Sequence, residues 1–152
     1  MQSFVTLRKT GFCWEFDSEE ALEDFLFTHL DKILGWTVIE RQYLVQSQRC
    51  DLLAIDETRR LIVIELKNVE DRGIVQQLTR YYHGLQEERP FRDRINYEKS
   101  VNLVAIAPSF HRDNFIDRQY HRLDFEFFQF SIVQEDQIFY LILKDVDEDS
   151  EF

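Results

Sequence analysis

Two short apolar segments joined by one turn constrain the fold of this chain more than any other feature. The segments 49–55 and 61–67 are rich in Leu and Ile, and the polar residues between them suit a turn centred on Thr58. With that turn, the two strands pair so that Asp51 lies directly opposite Glu65, and both faces of the hairpin are otherwise apolar. A hairpin that is apolar on both faces is covered on both sides. The two segments therefore predict the middle of a buried sheet.

The remaining segments supply helices to cover such a sheet and further strands to extend it. Asp17 or Ser18 suits the N-cap of a first helix, which has apolar residues at helical spacing and ends at Gly35. We predict further helices over 71–87 and 111–122 and a loop over 88–100. We predict further strands over 36–45, 101–107, 125–133 and 137–143, and an N-terminal hairpin in which 4–7 pairs with 12–16 around Lys9-Thr-Gly11. This order predicts a mixed α/β fold with helices flanking a central sheet. From its length we expect a single domain over 1–146 with an acidic C-terminal tail over 147–152.

One face of the predicted hairpin ends in three charged side chains. Side chains alternate along a strand, so Glu65 and Lys67 share a face, and Asp51 stands across from Glu65. Two carboxylates about 4 Å apart repel by about 4 kcal/mol at an effective dielectric constant of about 20, and a divalent cation would offset that repulsion. Asp51, Glu65 and the backbone carbonyl of Leu66 could supply the oxygen ligands that Mg²⁺ prefers. Lys67 could then orient or deprotonate a metal-bound water.

The first predicted helix adds a further carboxylate. Glu19 shares a face with Leu22, Leu26 and Ile33, and we expect it to point inward from the first turn. The helix dipole alone would also stabilise an acid at this position. Glu23 borders the same face and is the alternative if the helix register differs by one turn.

Four segments in this order resemble the motifs of a known nuclease family. They are Ser18-Glu19-x-x-Leu22-x-x-x-Leu26, Arg49-Cys-Asp51-Leu-Leu-Ala-Ile-Asp56, Ile62-Val-Ile-Glu65-Leu-Lys67 and Gln76-Gln-Leu-Thr-Arg-Tyr81. Together they resemble the RecB/NucS-like branch of the PD-(D/E)XK nucleases over about residues 18–85. The resemblance implies a restriction-endonuclease-like fold and a site with one or two metal ions, Mg²⁺ or Mn²⁺. It also implies roles by position: Glu19, Asp51 and Glu65 would hold metal, Lys67 would assist the attacking water, and Gln77 and Tyr81 would position the water or the scissile phosphate.

The distribution of charge matters for a partner that is a polyanion. The net charge is −11, but residues 124–152 carry nine acids and one base, whereas residues 72–122 carry nine bases and six acids. Arg side chains bind phosphate through two parallel hydrogen bonds. We therefore predict nucleic-acid contacts from the second helix, the loop after it and the third helix: Arg80, Arg89, Arg92, Arg94 and Arg112, with Lys99, Arg118 and Arg122 as further candidates. The alternative is that these bases lie on solvated faces beside neighbouring acids.

Together these patterns favour a Mg²⁺- or Mn²⁺-dependent nuclease that hydrolyses phosphodiester bonds, with DNA as the expected substrate. One alternative is an inactive nuclease-fold module that binds or regulates within a defence or repair complex, and another is a structural ion network in an unrelated α/β fold. The sequence has no nucleophile elbow, Walker A loop or dinucleotide-binding glycine motif, and its two cysteines do not form a disulfide framework. These absences exclude the commonest serine hydrolase, ATPase and dehydrogenase patterns.

The sequence also carries expectations about location and assembly. No apolar run approaches the roughly 18 residues that span a bilayer, and the first residues do not resemble a signal peptide. We therefore expect a cytoplasmic protein that does not contact membranes. A small domain with an exposed strand edge favours a homodimer or a larger homo-oligomer.

Overall fold

A mixed eight-stranded sheet forms the centre of the computed structural model, which describes residues 7–11 and 13–146. The elements in chain order are β1 (Leu7–Thr10), β2 (Cys13–Phe16), α1 (Glu19–Leu34), β3 (Thr37–Val45), β4 (Gln48–Ile55), β5 (Leu61–Leu66), α2 (Ile74–Glu88), β6 (Asn102–Ala107), α3 (Arg112–Gln119), β7 (Phe125–Glu135) and β8 (Ile138–Asp145). The predicted mixed α/β fold with helices flanking a central sheet is confirmed.

The strands follow the order β1-β2-β7-β6-β5-β4-β3, and β8 pairs with β7 outside this path. Strands β3, β4 and β5 form an antiparallel meander, whereas β5, β6 and β7 are parallel. Parallel neighbours need a crossover connection, and α2 and α3 provide the two that are required here. The carboxyl ends of β5, β6 and β7 consequently lie at one edge of the sheet.

Two apolar layers cover the sheet, one on each face. On one face, Leu22, Leu26 and Leu30 of α1 pack against a layer that includes Leu52 of β4 and Ile64 of β5. On the other face, α2 and α3 pack through an apolar cluster that comprises Ile74, Leu78, Leu85 and Phe115 with Leu53, Val63, Leu103 and Phe127 of the strands. Leu52 pairs with Ile64 and Leu53 with Val63, which confirms the predicted register of the central hairpin.

The first helix begins and ends where the sequence predicts. The hydroxyl of Ser18 accepts a hydrogen bond from the backbone N–H of Ala21 at 3.0 Å, which caps the first turn. Gly35 adopts the left-handed conformation with φ 75°, and its N–H donates to the carbonyl of Asp31 at 3.0 Å. These two caps fix α1 between β2 and β3.

Three predicted boundaries are wrong. Among the described residues the first strand covers Leu7–Thr10, so Lys9 and Thr10, which were predicted as part of the turn, are strand residues, and Thr10 pairs with Cys13. Helix α2 begins at Ile74 because the Asp71 carboxylate accepts from the N–H of Gly73 at 2.7 Å and closes a turn first.

Helix α3 ends at Gln119, three residues earlier than predicted, and just after it the His121 ring accepts from the N–H of Leu123 at 3.0 Å. Residues 4–6, Phe12 and the predicted tail over 147–152 lie outside the described part of the chain. None of the described helices is long and apolar enough to span a membrane.

Candidate active site

Glu65 lies at the carboxyl end of β5, on the edge where the three parallel strands end. It pairs with Ala105 of β6 and only 3% of its surface is exposed. Burial raises the pKa of Glu65 from 4.5 to about 9, with the Asp51 carboxylate adding to the effect and Lys67 opposing it. Its Oε2 atom is buried and has no hydrogen-bond partner among the described residues. Such a carboxylate needs either a proton or a cation.

Asp51 approaches Glu65 from β4 at the point where regular strand pairing stops. The pairing of β4 with β5 ends at Leu52 and Ile64, and beyond it the backbone N–H of Leu66 donates to Asp51 Oδ2 at 2.7 Å. The other oxygen, Oδ1, accepts from the side-chain amide of Gln42 at 3.2 Å.

The alternation of side chains along β4 is also interrupted here, because Cys50 and Leu53 pack in the same apolar layer. This departs from the regular alternation on which the sequence prediction for Asp51 depended. Asp51 therefore lines a cavity beside α1 as well as lying near Glu65.

Lys67 completes the charged group that the sequence predicts. Its Nζ atom lies 3.8 Å from Glu65 Oε1 and 3.3 Å from Asp71 Oδ2. Burial alone would lower the pKa of Lys67, but the carboxylates of Glu65 and Asp71 outweigh it and raise that pKa above its usual value. The side chain is therefore an ammonium at neutral pH, which suits orienting a water or stabilising negative charge better than accepting a proton.

Two carboxylates of α1, Glu19 and Glu23, differ in their exposure and in their partners. Glu19 is exposed and lines the cavity, and its negative charge contributes to the raised pKa of Lys67. Glu23 is 7% exposed and forms an ion pair with Arg41, whose Nε donates to Glu23 Oε2 at 2.9 Å. The expected inward orientation of Glu19 is wrong, since its side chain is exposed. Both carboxylates line the cavity, and the buried one is Glu23, the alternative, which is bound to Arg41 of β3.

The cavity beside these residues has a volume of about 530 Å³ and is lined by Glu19, Glu20, Glu23, Arg41, Gln42, Asp51 and Leu66. Within residues 7–11 and 13–146, no group of three His, Cys, Asp or Glu side chains converges as a metal site. A site of two carboxylates still fits Mg²⁺, because this ion usually binds one or two carboxylates and keeps several waters. The partnerless Oε2 of Glu65 beside the Asp51 carboxylate is the observation that supports this fit.

Gln77 and Tyr81 lie one turn apart on α2 and reach the same region. The Gln77 amide donates to the Tyr81 hydroxyl at 2.8 Å, and that hydroxyl donates to the carbonyl of Arg49 at 2.7 Å. Burial, and then the negative charge of Glu65, raise the pKa of Tyr81 far above its usual value. The pair therefore ties α2 to the β4 backbone two residues before Asp51.

The predicted arginine contacts do not share one surface. Arg112 begins α3, just after β6 reaches the edge that carries Glu65. Arg92 and Arg94 belong to the loop before β6, at the other end of β5, where the Arg94 carbonyl accepts from Arg59 Nε at 3.1 Å. Strand β5 has six residues, which separates the two edges by about 17 Å.

The other arginines have separate environments. Arg80 lines a groove between α2 and α3, and Arg89 ends α2 with its guanidinium 5.7 Å from the ring centroid of Tyr97. The predicted contacts did not include Arg72, an exposed base near the edge that carries Glu65, whose Nε donates to His111 Nε2 at 3.0 Å. Its position between the Glu-x-Lys strand and α2 was the signal that could have identified it.

Comparisons with known proteins identify relatives in sequence and in fold. Endonuclease NucS from Mycobacterium sp. (strain JLS) is 33% identical over an alignment that covers 44% of this chain and 34% of the relative. A repair endonuclease from Pyrococcus abyssi has 23% identity and a TM-score of 0.56, with 72% of this chain and 46% of that chain covered. EndoMS, in a structure described as an EndoMS–dsDNA complex, has 20% identity and a TM-score of 0.57, with 85% and 49% covered. The chain thus spans between a third and a half of these relatives' lengths.

The likeness to these two solved structures defines the class: this is a protein of the restriction-endonuclease-like fold. A match to a family model assigns the chain more narrowly than the fold does. The family model for the endonuclease NucS C-terminal domain matches residues 18–124, and the chain belongs to that family.

Proposed function

We propose that this chain is the catalytic domain of a metal-dependent endonuclease that cuts DNA by hydrolysing phosphodiester bonds. The observation that carries the proposal is the buried Glu65 carboxylate, with its partnerless oxygen, beside Asp51 and Lys67 at the sheet edge. Clustered ionisable groups with a strongly shifted pKa are expected at catalytic sites. Membership of an endonuclease family supports the same reaction class.

The donor set assigns a role to each residue. Asp51, Glu65 and the Leu66 carbonyl would hold Mg²⁺ or Mn²⁺, with Glu19 as a further carboxylate on the cavity wall. When bound, the ion would supply charge neutralisation at the scissile phosphate and a more acidic water. The Lys67 ammonium, held by Glu65 and Asp71, would donate to the attacking water or to the phosphate and stabilise developing negative charge.

Gln77 and Tyr81 act on this site from the second helix. Their hydrogen bonds fix the β4 backbone at Arg49, and thereby the position from which Asp51 would hold the metal. Contact with water or phosphate, which the family resemblance implies for these two residues, remains part of the proposal.

DNA is the proposed substrate because the family is one of endonucleases and a relative of the same fold was solved as a complex with dsDNA. The bases at the active-site edge, Arg112 and Arg72, suit phosphate contacts on either side of the scissile bond. The proposed homodimer would use an open strand edge, and β8 offers one with exposed Ile138, Tyr140 and Ile142. Sedimentation analysis of the purified protein measures that assembly directly.

The decisive experiment is cleavage of labelled duplex, single-stranded and flap DNA, and of RNA, with Mg²⁺ or Mn²⁺. Wild type should cut DNA, and Asp51→Asn and Lys67→Ala should lose at least 100-fold in rate, the size typical of removing one electrostatic contact to the transition state. Lys32→Ala, an exposed base near the end of α1, is the matched control and should cut like wild type.

Two outcomes would contradict the proposal. Full activity in Lys67→Ala or Asp51→Asn would show that the reaction occurs elsewhere. If wild type binds DNA or a protein partner but cuts nothing with either metal, the fold would serve as an inactive module in a larger complex.

A further inference from the structure

Gln42 has a backbone conformation that a strand residue rarely adopts. It lies in the middle of β3, between Arg41 and Tyr43, which pair with Leu52 and Cys50 of β4. Its φ is 51°, in the left-handed region that side chains with a Cβ disfavour. Of the positive-φ residues other than glycine in the described ranges, Gln42 is the one inside a strand, since the others lie in turns, caps and loops.

The side chain of Gln42 connects two carboxylates from different elements. Its amide donates to Glu23 Oε1 on α1 and to Asp51 Oδ1 on β4, the latter at 3.2 Å. A primary amide has two N–H groups, so both bonds can form at once. Glu23 is itself held by Arg41, whose Nε donates to it at 2.9 Å.

These contacts determine the orientation of the Asp51 carboxylate. With Gln42 on Oδ1 and the Leu66 N–H on Oδ2, both oxygens of the carboxylate are fixed in position. Each oxygen keeps lone pairs that could face a cation. In a regular strand the side chains alternate between the two faces of the sheet. Here the alternation is interrupted at Asp51, and the left-handed residue Gln42 lies opposite it on β3.

We propose that Gln42 is a positioning residue that orients Asp51 for divalent cation binding, and that the strained backbone is retained because it aims the amide between Glu23 and Asp51. The inference rests on the proposed metal-dependent function and adds a residue that the motifs do not contain. Unfavourable backbone conformations persist where the surrounding structure holds them for function. Groups that orient a metal ligand typically change metal affinity or activity by 10- to 100-fold when they are removed.

The test compares two substitutions that remove the same amide. Gln42→Ala keeps a Cβ at the left-handed position, whereas Gln42→Gly relieves it, so the glycine variant should unfold at the higher urea concentration in EDTA. Both variants should bind Mn²⁺ 10- to 100-fold more weakly by isothermal titration calorimetry, and both should need correspondingly more Mn²⁺ for half-maximal DNA cleavage.

The chain offers a matched control four residues away. Gln46 is also a glutamine with a left-handed backbone, at φ 47°, but it lies in the β3–β4 turn and its amide donates to Glu87 on α2. Gln46→Gly should therefore keep wild-type Mn²⁺ affinity. This control separates the loss of the Gln42 amide from any general effect of introducing glycine at a left-handed position.

The possible results are distinguishable. Wild-type Mn²⁺ affinity in Gln42→Gly, or an affinity that follows unfolding stability across the variants, would overturn this inference while leaving a cutting enzyme intact. A wild-type protein that neither binds Mn²⁺ nor cuts DNA would overturn the proposed function, and this inference with it.

Discussion

Replacing Glu65 with Gln should remove a large part of the pH dependence of folding stability when no divalent cation is present. In the folded protein the Glu65 pKa is raised from 4.5 to about 9, so the carboxyl stays protonated where its unfolded counterpart is ionised. For a raised carboxyl pKa, stability is fully present below about pH 4.5 and is lost progressively as the pH rises to about 9. Each pH unit in that window corresponds to about 1.4 kcal/mol.

Between pH 5 and pH 8 the loss from this one group is therefore about 4 kcal/mol, a large part of the 5 to 15 kcal/mol typical of a folded domain. Gln is neutral at every pH and has nearly the same shape. The unfolding free energy of Glu65→Gln minus that of wild type should therefore increase by about 4 kcal/mol from pH 5 to pH 8. Urea unfolding in EDTA at pH 5, 6, 7 and 8 measures that difference.

Glu98→Gln, the same chemical change at an exposed position outside the charged group, is the control. The reasoning is refuted if the stability difference between wild type and Glu65→Gln stays constant within about 1 kcal/mol over the same range, since one pH unit of linkage would already exceed that value. Such a result would mean that water or a structural change solvates Glu65 in the absence of a cation.

Three further substitutions test separate parts of the structure. Tyr81→Phe removes the hydroxyl that donates to the β4 backbone, and it should lower the urea-unfolding free energy by about 1 kcal/mol and slow DNA cleavage. Gly84→Ala should destabilise the domain by about 1 to 3 kcal/mol in the same assay, because its new Cβ would lie 2.5 Å from Val45 Cγ2. Arg112→Ala should weaken binding to duplex DNA in Ca²⁺, measured by fluorescence anisotropy, whereas Arg94→Ala at the other edge should not.

Each of these has an outcome that contradicts it. Unchanged stability in Tyr81→Phe would mean that the β4 backbone is held by other contacts. Gly73→Ala is the control for Gly84→Ala, because a Cβ at Gly73 would lie 3.4 Å from its nearest neighbour, an Asp71 carboxylate oxygen. If both substitutions destabilised the protein equally, the close approach of α2 to β3 would not be the cause. Equal weakening by Arg94→Ala and Arg112→Ala would place DNA on both edges.

The central hairpin was predictable because its information is local. One turn and the alternation of side chains suffice to pair Leu52 with Ile64, and the same alternation places Glu65 and Lys67 on one face. Helix α1 was predictable for the same reason, since Ser18 and Gly35 are strong end signals.

The choice between Glu19 and Glu23 could not be made from the helix alone. Both carboxylates lie on or beside the inward face, and what distinguishes them is Arg41 on a later strand, which binds Glu23. Gln42 carried no signal for the same reason: its left-handed backbone depends on partners on α1 and β4, and glutamine has no preference for that conformation.

The sequence could not show that the predicted arginine contacts lie at different edges of the sheet. Helix α2 has fifteen residues and a length of about 22 Å, so it carries the chain from the edge with Glu65 back across the sheet. Arg92 and Arg94 therefore follow α2 in sequence but lie at the far edge, whereas Arg112 follows β6 and lies at the edge that carries Glu65.

The parallel pairing of β5 with β6 also bears on when a growing chain could become active. Glu65 and Lys67 are synthesised well before β6, yet Glu65 pairs with Ala105 and the Lys67 N–H donates to the carbonyl of Ile106. On the ribosome, a chain that has not yet released β6 would carry Glu65 and Lys67 without the strand that holds them. If the proposed nuclease function holds, the topology would delay the active geometry until most of these strands have been made, and partly synthesised chains would be unable to cut nucleic acid.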